Sequence, residues 1–473
     1  MRSKQDLADW LDEHQLRFTR ISDEIWDNPE LQFLEFKASK LQADFLAAEG
    51  FRVTWDVGGL STAFAAEWGT GSPVIAFAGE YDALPGLSQK DQNERDPIQA
   101  GAPGHGCGHN LLGTGCLAAA VAFKEWLGST GQAGTVRYYG CPAEEGGSGK
   151  VFMGRAGVFD DLDAIFNWHP WYINSAMKGS LLSVNRYYFR FHGKSAHAAA
   201  DPHSGRSALD ALELMNIGVN YLREHVPDDV RLHYSILNGG LAPNVVPDFA
   251  ESYYYVRAIE PDTLEDVSQR VIRIAQGAAM MTDTEVEVAY KSGSTRVLSN
   301  ETLADLQYEV MRGLGGIEFS DEEQAYAAAI NERFGDANVK TLINRYGVDP
   351  QTAEQALIGD VLPSKDKDFV SPGSSDMGDM SWFAPCSMLQ TATWASRAAA
   401  HSWGVVATGR TSIGHKGMMY AAKVMALAAA ELVTSPAVLE RAQAEFRAAV
   451  ERTPYKCPIP DDVPAPSHEH PLR

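Results

Sequence analysis

Two histidines and a cysteine are spaced by single glycines in the segment GHGCGHN, residues 104–110. Glycine disfavours helix and strand interiors and leaves the backbone unhindered, so Cys107 and His109 can point at one object. Thiolate and imidazole are ligands that transition-metal ions prefer. The segment therefore predicts a metal site, with an ordinary polar loop as the alternative.

Other polar residues with chemical potential follow predicted strands. Glu80 and Asp82 come after one strand, in AGEYDALP, and His169 comes after another, in FNWHP. Glu144 and Glu145 follow a third strand, in CPAEEGG. Sites in open α/β sheets form at the carboxyl ends of strands, and a two-metal hydrolytic site needs mixed ligands plus one free carboxylate. Each motif alone also fits a solvated loop or a core histidine, but together they predict one site.

The elements that must position these residues alternate between strand and helix. Short apolar runs occur at 73–80, 135–142, 163–168 and 387–392, and helical segments such as NLLGTGCLAAAVAFKEWLG lie between them. Residues 5–50 predict two helices that are broken at DNPE. This alternation predicts an α/β fold with a doubly wound, mostly parallel sheet.

The pattern changes between residues 183 and 296, where alternating strands and amphipathic helices predict an inserted α+β domain. A chain of 473 residues exceeds the usual size of one core. We therefore predict a catalytic domain in two parts, 1–182 and 297–452, interrupted by a lid domain at 183–296. A proline-rich tail at 453–473 should lie as an extended arm.

Composition excludes several functional classes. The formal net charge of -22 argues against nucleic acid or an anionic membrane as the partner. The five cysteines are too few and too scattered for a disulfide framework. The sequence has no uninterrupted stretch of 18 apolar residues, so we expect no membrane span. We therefore expect a reduced, cytoplasmic setting. GGSGK, residues 146–150, matches neither a phosphate-binding loop nor a nucleophile elbow.

Seven motifs occur in the order typical of one enzyme family: NPELQFLEFKAS, GEYDALPG, GHGCGHN, PAEEGGSGK, GKSAHAA, GGLAPNVVPD and AHSWG. In this respect the chain resembles the dinuclear metallo-amidohydrolases related to aminoacylase and the indole-acetyl-amino-acid hydrolases. The resemblance implies two divalent metal ions, Mn or Zn, and a lid that also mediates dimerisation. By similarity, Glu144 is the general base, Asp82 stands behind the metals, and the ligands are Cys107, His109, Glu145, His169 and His401.

The chain also departs from the family pattern. Asn110 stands where relatives usually have aspartate, and Glu80 stands where other branches have a histidine ligand. His415 competes with His401 for the last ligand position, although its helical context suits that role less well.

The resemblance also implies a substrate-binding set in the lid. His197 and Asn244 suit the developing oxyanion of a cleaved amide, and Arg257 suits the carboxylate of an N-acyl amino acid. An acidic amino acid needs a second cation, for which Lys194, Arg206 and Lys178 are unranked candidates. An aromatic acyl group could stack on one of three aromatic residues, Trp168, Trp171 or Tyr172, although core packing is an equal alternative for them.

We therefore expect hydrolysis of an N-acyl or N-aroyl amino acid, of the p-aminobenzoyl-glutamate type. Partners should be this small molecule and a second copy of the chain, or a related A-type subunit. A dipeptidase, a deaminase and an indole-acetyl-amino-acid hydrolase are alternatives on the same scaffold. The non-enzymatic alternative is a silent metal-binding subunit, against which the intact Glu144 argues.

Overall fold

The computed structural model describes residues 4–364 and 368–469. In chain order, the strands are β1 (Arg52–Trp55), β2 (Phe64–Thr70), β3 (Val74–Glu80), β4 (Gly134–Cys141), β5 (Ala164–Trp171), β6 (Ser175–Met177), β7 (Ser180–Leu181), β8 (Ser183–His192), β9 (Arg231–Asn238), β10 (Phe249–Ala258), β11 (Glu285–Ser294), β12 (Val370–Ser371) and β13 (Cys386–Ala392).

The helices are α1 (Lys4–Asp27), α2 (Phe36–Ala48), α3 (His109–Thr130), α4 (Gly149–Arg155), α5 (Ala208–Leu222), α6 (Pro261–Thr282), α7 (Glu301–Leu314), α8 (Asp321–Asn331), α9 (Ala337–Tyr346), α10 (Pro350–Ala353), α11 (Met377–Met380), α12 (Trp403–Thr408), α13 (Ser412–Thr434) and α14 (Pro436–Arg452).

The central sheet has seven strands in the order β1-β2-β4-β3-β5-β13-β6. Its middle strands β4, β3, β5 and β13 run parallel, whereas β2 and β6 pair antiparallel with their neighbours. The sequence predicts the parallel strands because they are apolar runs buried on both faces. The edge strands β1 and β6 and the second strand β2 were not predicted. The α/β class with a mostly parallel sheet is confirmed.

Two long apolar helices, α3 and α13, pack against each other and against this sheet. By length and composition both could cross a membrane, but 89% and 78% of their most apolar windows are buried inside the structure. Their alanine-rich and leucine-rich faces belong to the main hydrophobic core, together with Leu7, Leu11 and Phe18 of α1. Burial in this core therefore accounts for their hydrophobicity.

A second, antiparallel sheet has the strand order β11-β8-β10-β9. One face packs on α5 and α6 through Phe189, Phe191, Tyr254 and Val256. The other face carries polar and aromatic side chains, which explains the alternation in the sequence. We call the segment from β8 to β11 the lid. That the lid is a separate domain stays a prediction, as do the other domain boundaries.

The described part of the tail, 453–469, contains no helix or strand and lies along the catalytic region. The Tyr455 hydroxyl donates to Asp379 (2.9 Å), and the backbone N–H of His468 donates to Ser61 Oγ (2.9 Å). Ile459 is buried in the second hydrophobic cluster. The tail is therefore anchored at several points, although many of its residues are exposed.

Candidate metal centre

Loops and strand ends at one edge of the central sheet bring the polar motifs together. Glu80 ends β3 and Asp82 follows it, while Glu144 and Glu145 lie between β4 and α4. The remaining members lie in β5, at the start of α3 and before α12; they are His169, Cys107, His109 and His401. The strands converge here because β3, β4 and β5 are parallel neighbours.

The glycines of GHGCGHN allow the close approach of several backbones. Gly108 precedes α3 with φ +80°, and a Cβ there would lie 2.9 Å from Pro170. The Gly106 carbonyl accepts the backbone N–H of His401 at 2.9 Å. His401 itself has φ 59°, a strained value for a residue other than glycine. The segment therefore joins the α3 start, β5 and the His401 loop.

Two groups of ligand atoms share the Cys107 sulfur. One group contains Cys107, His109 and His169, the other contains Cys107, Glu145 and His401, and the atoms of each lie within 4.8 Å of one another. Cys107 Sγ is 3.3 Å from His169 Nε2, and His401 Nε2 is 3.4 Å from Glu145 Oε2. These two groups would together hold two cations, with the Cys107 thiolate common to both sets of ligands.

Hydrogen bonds from Nδ1 orient the rings of His109 and His169, so that their Nε2 atoms are turned toward the other candidate ligands. His169 Nδ1 donates to the Pro170 carbonyl at 2.6 Å, and His109 Nδ1 donates to Asp82 Oδ1 at 2.9 Å. Burial lowers the pKa of His169 to about 4, so its Nε2 carries a lone pair at neutral pH. His109 Nε2 and Glu145 Oε1 are buried without a hydrogen-bond partner. These orphaned atoms fit a bound cation, because buried polar atoms otherwise have partners.

Asp82 organises the cluster through both carboxylate oxygens. Oδ1 accepts from His109, and Oδ2 accepts from the backbone N–H of Glu145 at 2.9 Å. Although burial opposes ionisation, the hydrogen bond from His109 lowers the pKa of Asp82. Asp82 is therefore an orienting anion behind two candidate ligands.

The two adjacent glutamates differ in their surroundings. Glu145 belongs to a Cys107 group, whereas Glu144 groups with Glu80 and His109 instead. Burial, followed by repulsion from Glu80 and Glu145, raises the pKa of Glu144 well above its usual range. A carboxyl group with a raised pKa can both accept and return a proton near neutral pH. The arrangement thus separates a candidate ligand from a candidate acid/base.

A buried ion triad supports Glu80, and sequence reasoning missed its other two members. Lys150 Nζ lies 2.6 Å from Glu80 Oε1 and 2.5 Å from Asp376 Oδ1, and all three side chains are almost fully buried. The available signals in the sequence were Lys150 in GGSGK, to which no role was assigned, and Asp376 in GSSDMGDMSW, residues 373–382. Lys150 therefore compensates the buried charge of Glu80.

Glu35 is a second missed residue. It is fully buried, and its Oε1 accepts from the backbone N–H groups of Phe33 and Ala143, both at 2.9 Å. Ala143 has φ 61°, which only a strong local constraint makes tolerable in a residue with a side chain. Glu35 therefore holds the turn that precedes Glu144. The only signal in the sequence was the presence of Glu35 at the end of NPELQFLE, residues 28–35.

The cluster forms one wall of a pocket of about 490 Å³, and the lid supplies the opposite wall. The lid contributes Arg186, Tyr255 and Arg257, and a neighbouring loop contributes Ser374. Arg257 Nη1 donates to Ser374 Oγ at 3.0 Å. Trp171 also lines the pocket, whereas Trp168 is fully buried and donates to the Leu112 carbonyl. A ligand in this pocket would contact both walls.

His197 and Asn244 do not line this pocket of their own chain. They lie side by side on the exposed surface of the lid, where Ala198 N–H donates to the Asn244 carbonyl at 3.0 Å. Their role in substrate binding therefore stays a prediction. His415 lies in α13 and contacts Asp23 at 2.8 Å, away from the cluster that contains His401.

The three candidates for a second cation are also outside the pocket lining. Lys178 pairs with Asp305 at 2.6 Å and Arg206 pairs with Asp283 at 2.7 Å. Lys194 is exposed on the lid, where its backbone pairs with that of Arg206. The expectation that one of these three lies in the site is not supported by this geometry, which instead brings Arg186 there.

Comparison with known proteins identifies the family. The profile of peptidase family M20/M25/M40 matches residues 76–359. The chain is 42% identical over 472 residues to the B-type subunit of p-aminobenzoyl-glutamate hydrolase from Escherichia coli (strain K12), covering 97% of this chain and 98% of that protein. It is 33% identical over 333 residues to Xaa-Arg dipeptidase of Mus musculus, covering 68% of this chain and 73% of that protein.

The fold is also similar to a solved structure. A dinuclear metal-binding peptidase of the M20 family from Bacillus subtilis superposes with a TM-score of 0.58 at 19% identity, covering 90% of this chain and 99% of that chain. The resemblance to the dinuclear metallo-amidohydrolases that the seven sequence motifs indicated is therefore confirmed.

Proposed function

The chain belongs to peptidase family M20/M25/M40, and from that membership we propose that it is a metal-dependent amidohydrolase acting on N-acyl or N-aroyl amino acids. The products are a carboxylic acid and a free amino acid. The observation that carries this proposal is the Cys107 sulfur shared by two ligand groups, beside the Glu144 carboxyl that belongs to neither.

Two divalent cations are the proposed cofactor, held by Cys107, His109, Glu145, His169 and His401. When bound, such cations polarise the amide carbonyl and lower the pKa of water. Thiolate and imidazole favour Zn, while availability in the cell can favour Mn. Burial raises the pKa of the Cys107 thiol well above its usual range, so cation binding has to displace a proton there.

The chain's own residues perform the proton transfers and the positioning. Glu144 removes a proton from the attacking water and delivers it to the leaving amide nitrogen. Asp82 fixes the ring of His109 and the backbone of Glu145. Arg257 holds the carboxylate of the amino-acid product, since guanidinium and carboxylate can form two parallel hydrogen bonds.

For the substrate, we propose an aromatic acyl group on an acidic amino acid, with p-aminobenzoyl-glutamate as the first compound. The relative that is 42% identical to this chain is a subunit of p-aminobenzoyl-glutamate hydrolase, which supports this choice. In the structure, Trp171 offers an aromatic surface beside His169, with ring centroids 5.9 Å apart. Tyr172 is buried in a core cluster and is a weaker candidate.

We also propose a dimer through the lid. Strand β9 pairs only with β10 among the described residues, so its outer edge is open, and Ile236, Leu237 and Leu241 beside it are exposed. Pairing of edges across a two-fold axis removes such an association hazard. His197 and Asn244 are also exposed on the lid and would reach the partner's pocket to contact the oxyanion. A related A-type subunit is the alternative partner.

Mixing two inactive variants tests the shared site. Protomers with His197→Ala and protomers with Glu144→Gln should each be inactive, while the mixed dimer recovers activity in the one pocket that has both residues intact. Absence of recovery despite demonstrated subunit exchange would contradict a site shared between chains.

The proposed location is the cytoplasm, because all five cysteines are free in the structure and the candidate thiolate ligand requires reducing conditions. A membrane and nucleic acid are not proposed as partners, since the net charge is -22. A silent subunit is disfavoured because Glu144 would have no task in a purely structural metal site.

A dipeptidase is the second candidate function, because the chain is 33% identical to Xaa-Arg dipeptidase. Assays with a panel of substrates decide between this function and the amidohydrolase. The purified metal-loaded protein is assayed with p-aminobenzoyl-glutamate, acetyl-glutamate and free dipeptides. We expect the aroyl compound to give the highest kcat/KM. Good turnover of a free dipeptide, with none of the acyl compounds hydrolysed, would move the protein to the dipeptidase function.

A further inference from the structure

Arg186 is a buried cation in the wall of the proposed active-site pocket. It lies in β8 directly opposite Tyr255 of β10, on the sheet face that points away from α5 and α6. Only 6% of the residue is exposed, yet it lines the pocket together with Cys107 and Glu144. Its guanidinium therefore faces a ligand space and not bulk solvent.

Among the described residues, Arg186 has no carboxylate partner. Its Nη1 contacts the hydroxyls of Ser148 at 3.3 Å and Ser292 at 3.2 Å, and its Nε is buried without a partner. Lys150 is equally buried but has two carboxylates within 2.6 Å. An uncompensated buried charge is costly, because desolvation is not repaid by a counter-ion. The guanidinium charge without a counter-ion therefore indicates an anionic ligand in the adjoining pocket.

Arg257 is a second cation beside Arg186. The two guanidinium carbons lie 5.0 Å and 5.4 Å from the centroid of the same ring, that of Tyr255. Burial, and after it the charge of Arg186, lowers the pKa of Arg257, which reports their mutual repulsion. Two like charges on neighbouring positions of one sheet face are unfavourable alone. A ligand with two negative charges would relieve both.

We propose that Arg186 is the residue that selects a dicarboxylic amino acid, by binding the side-chain carboxylate of the substrate while Arg257 binds the α-carboxylate. This inference rests on the proposed function, because it assigns the amino-acid end of the same substrate. Arginine suits the task, since its planar donors match a carboxylate at two points.

The test compares p-aminobenzoyl-glutamate with p-aminobenzoyl-alanine, which lacks the side-chain carboxylate that Arg186 is proposed to bind. We expect wild type to prefer the glutamate compound in kcat/KM. Arg186→Met should lower that preference about 10- to 100-fold, the usual contribution of a charge-assisted hydrogen bond. Arg186→Lys should lower it less, because it keeps the charge and loses the planar fork.

Arg190→Met is the matched control. Arg190 lies on the same face of β8, further along the strand, but it is engaged by Glu251 and Glu287, both at 2.8 Å. We expect its substitution to leave the preference for the glutamate compound unchanged. An equal loss of preference in this control would overturn the assignment of a specific role to Arg186.

Other outcomes separate the inference from the proposed function. If wild type hydrolyses the alanine and glutamate compounds equally well, the function stands and the inference fails. If wild type prefers glutamate and Arg186→Met retains that preference, the assignment to Arg186 fails. If no aroyl amino acid is hydrolysed, the proposed function fails and the inference with it.

A measurement on wild type covers the case in which Arg186→Met does not fold. Glutarate, a dicarboxylate, should inhibit more strongly than butyrate, which has a single carboxylate. Arg186→Lys, which retains the buried charge, should reduce the difference between the two inhibitors. Equal inhibition by glutarate and butyrate in wild type would overturn the inference without any variant.

Discussion

The two walls of the pocket carry opposite charges. The catalytic wall lines the pocket with the carboxyl groups of Glu144 and Glu145, while Glu80 and Asp82 lie behind them, paired with Lys150 and His109. The lid wall lines it with Arg186 and Arg257. The carboxyl groups of the catalytic wall suit bound cations, whereas the guanidinium groups of the lid wall suit an anionic ligand. The net charge of -22 conceals this division, so local charge is the better guide to the ligand.

The walls also differ in how firmly they are held. Asp82, His109 and Lys150 are almost completely buried and joined by short hydrogen bonds and ion pairs. Arg257 is half-buried and donates to His233 and to one hydroxyl and one backbone carbonyl of the loop at 372–374. A preorganised catalytic wall suits the chemical step, whereas guanidinium groups that have no carboxylate partner among the described residues suit recognition of an anion.

Metal removal should give the largest effect and tests the catalytic wall alone. Chelation is expected to abolish turnover, and Mn(II) or Zn(II) should restore it, because the carboxylates and the thiol lose the cations that they surround. Elemental analysis should find two ions per chain. Full activity in protein shown to be free of metal would refute the dinuclear site.

The adjacent glutamates form a matched pair for the next largest effect. Glu144→Gln should retain metal and lower kcat by roughly 10²- to 10⁴-fold, the contribution of a positioned acid/base. Glu145→Gln should lose metal instead, since Glu145 belongs to a Cys107 group. Metal content and turnover measured on both variants check this division, which fails if both keep metal and activity.

On the lid wall, Arg257→Met should reduce kcat/KM for an N-acyl amino acid about 10- to 100-fold, mainly through KM, because it removes a charge-assisted contact made before the chemical step. Metal content should not change. Arg270→Met on α6, whose side chain contacts the His225 carbonyl, is the control and should behave as wild type. A fall in kcat alone would place Arg257 in the chemistry and so contradict the division between walls.

Glu35→Gln should have the smallest effect, a pH-dependent change in stability. Burial, and then the Asp82 carboxylate, raises the pKa of Glu35 to about 8 from its ordinary value of 4.5. The folded chain then binds this proton more tightly than the unfolded chain, so the stabilisation is complete below about pH 4.5 and is lost as pH rises through about 8.

Wild type should therefore lose stability relative to Glu35→Gln between those pH values, because glutamine does not titrate. Denaturant unfolding of both metal-free proteins at several pH values measures the difference. A difference that stays constant across the range would show that Glu35 is not the titrating group.

The sequence predicted the catalytic wall far better than the lid wall. Cys107, His109 and Glu145 lie in local motifs at strand ends, where residue type and position point to the same chemistry. His401 came only from the family resemblance, because its loop has no regular pattern. In the sequence, Arg186 looks like any other residue of a strand. Only the pairing of β8 with β10 in the folded chain brings it beside Arg257.

The elements that were missed have a common physical cause. Strand β1, RVTW, alternates between exposed and half-buried positions, and most residues of β9 are exposed, so neither has the apolar run that marks a strand. Glu35 and Lys150 were missed because a buried charge is recognisable only from its partners, and those partners are distant in the chain.

The anchored tail has a mechanical consequence. The Asp379 carboxylate accepts from Tyr455 on one oxygen and from the backbone of Thr295, where the lid rejoins the catalytic region, on the other. Lys456, the next residue, reaches Asp262 at the start of α6. These contacts join the tail both to the lid and to the catalytic region at the point where the two meet. If the lid moves as the separate domain that the sequence predicts, the tail has to move with it, and cleavage before Tyr455 would widen the range of that motion.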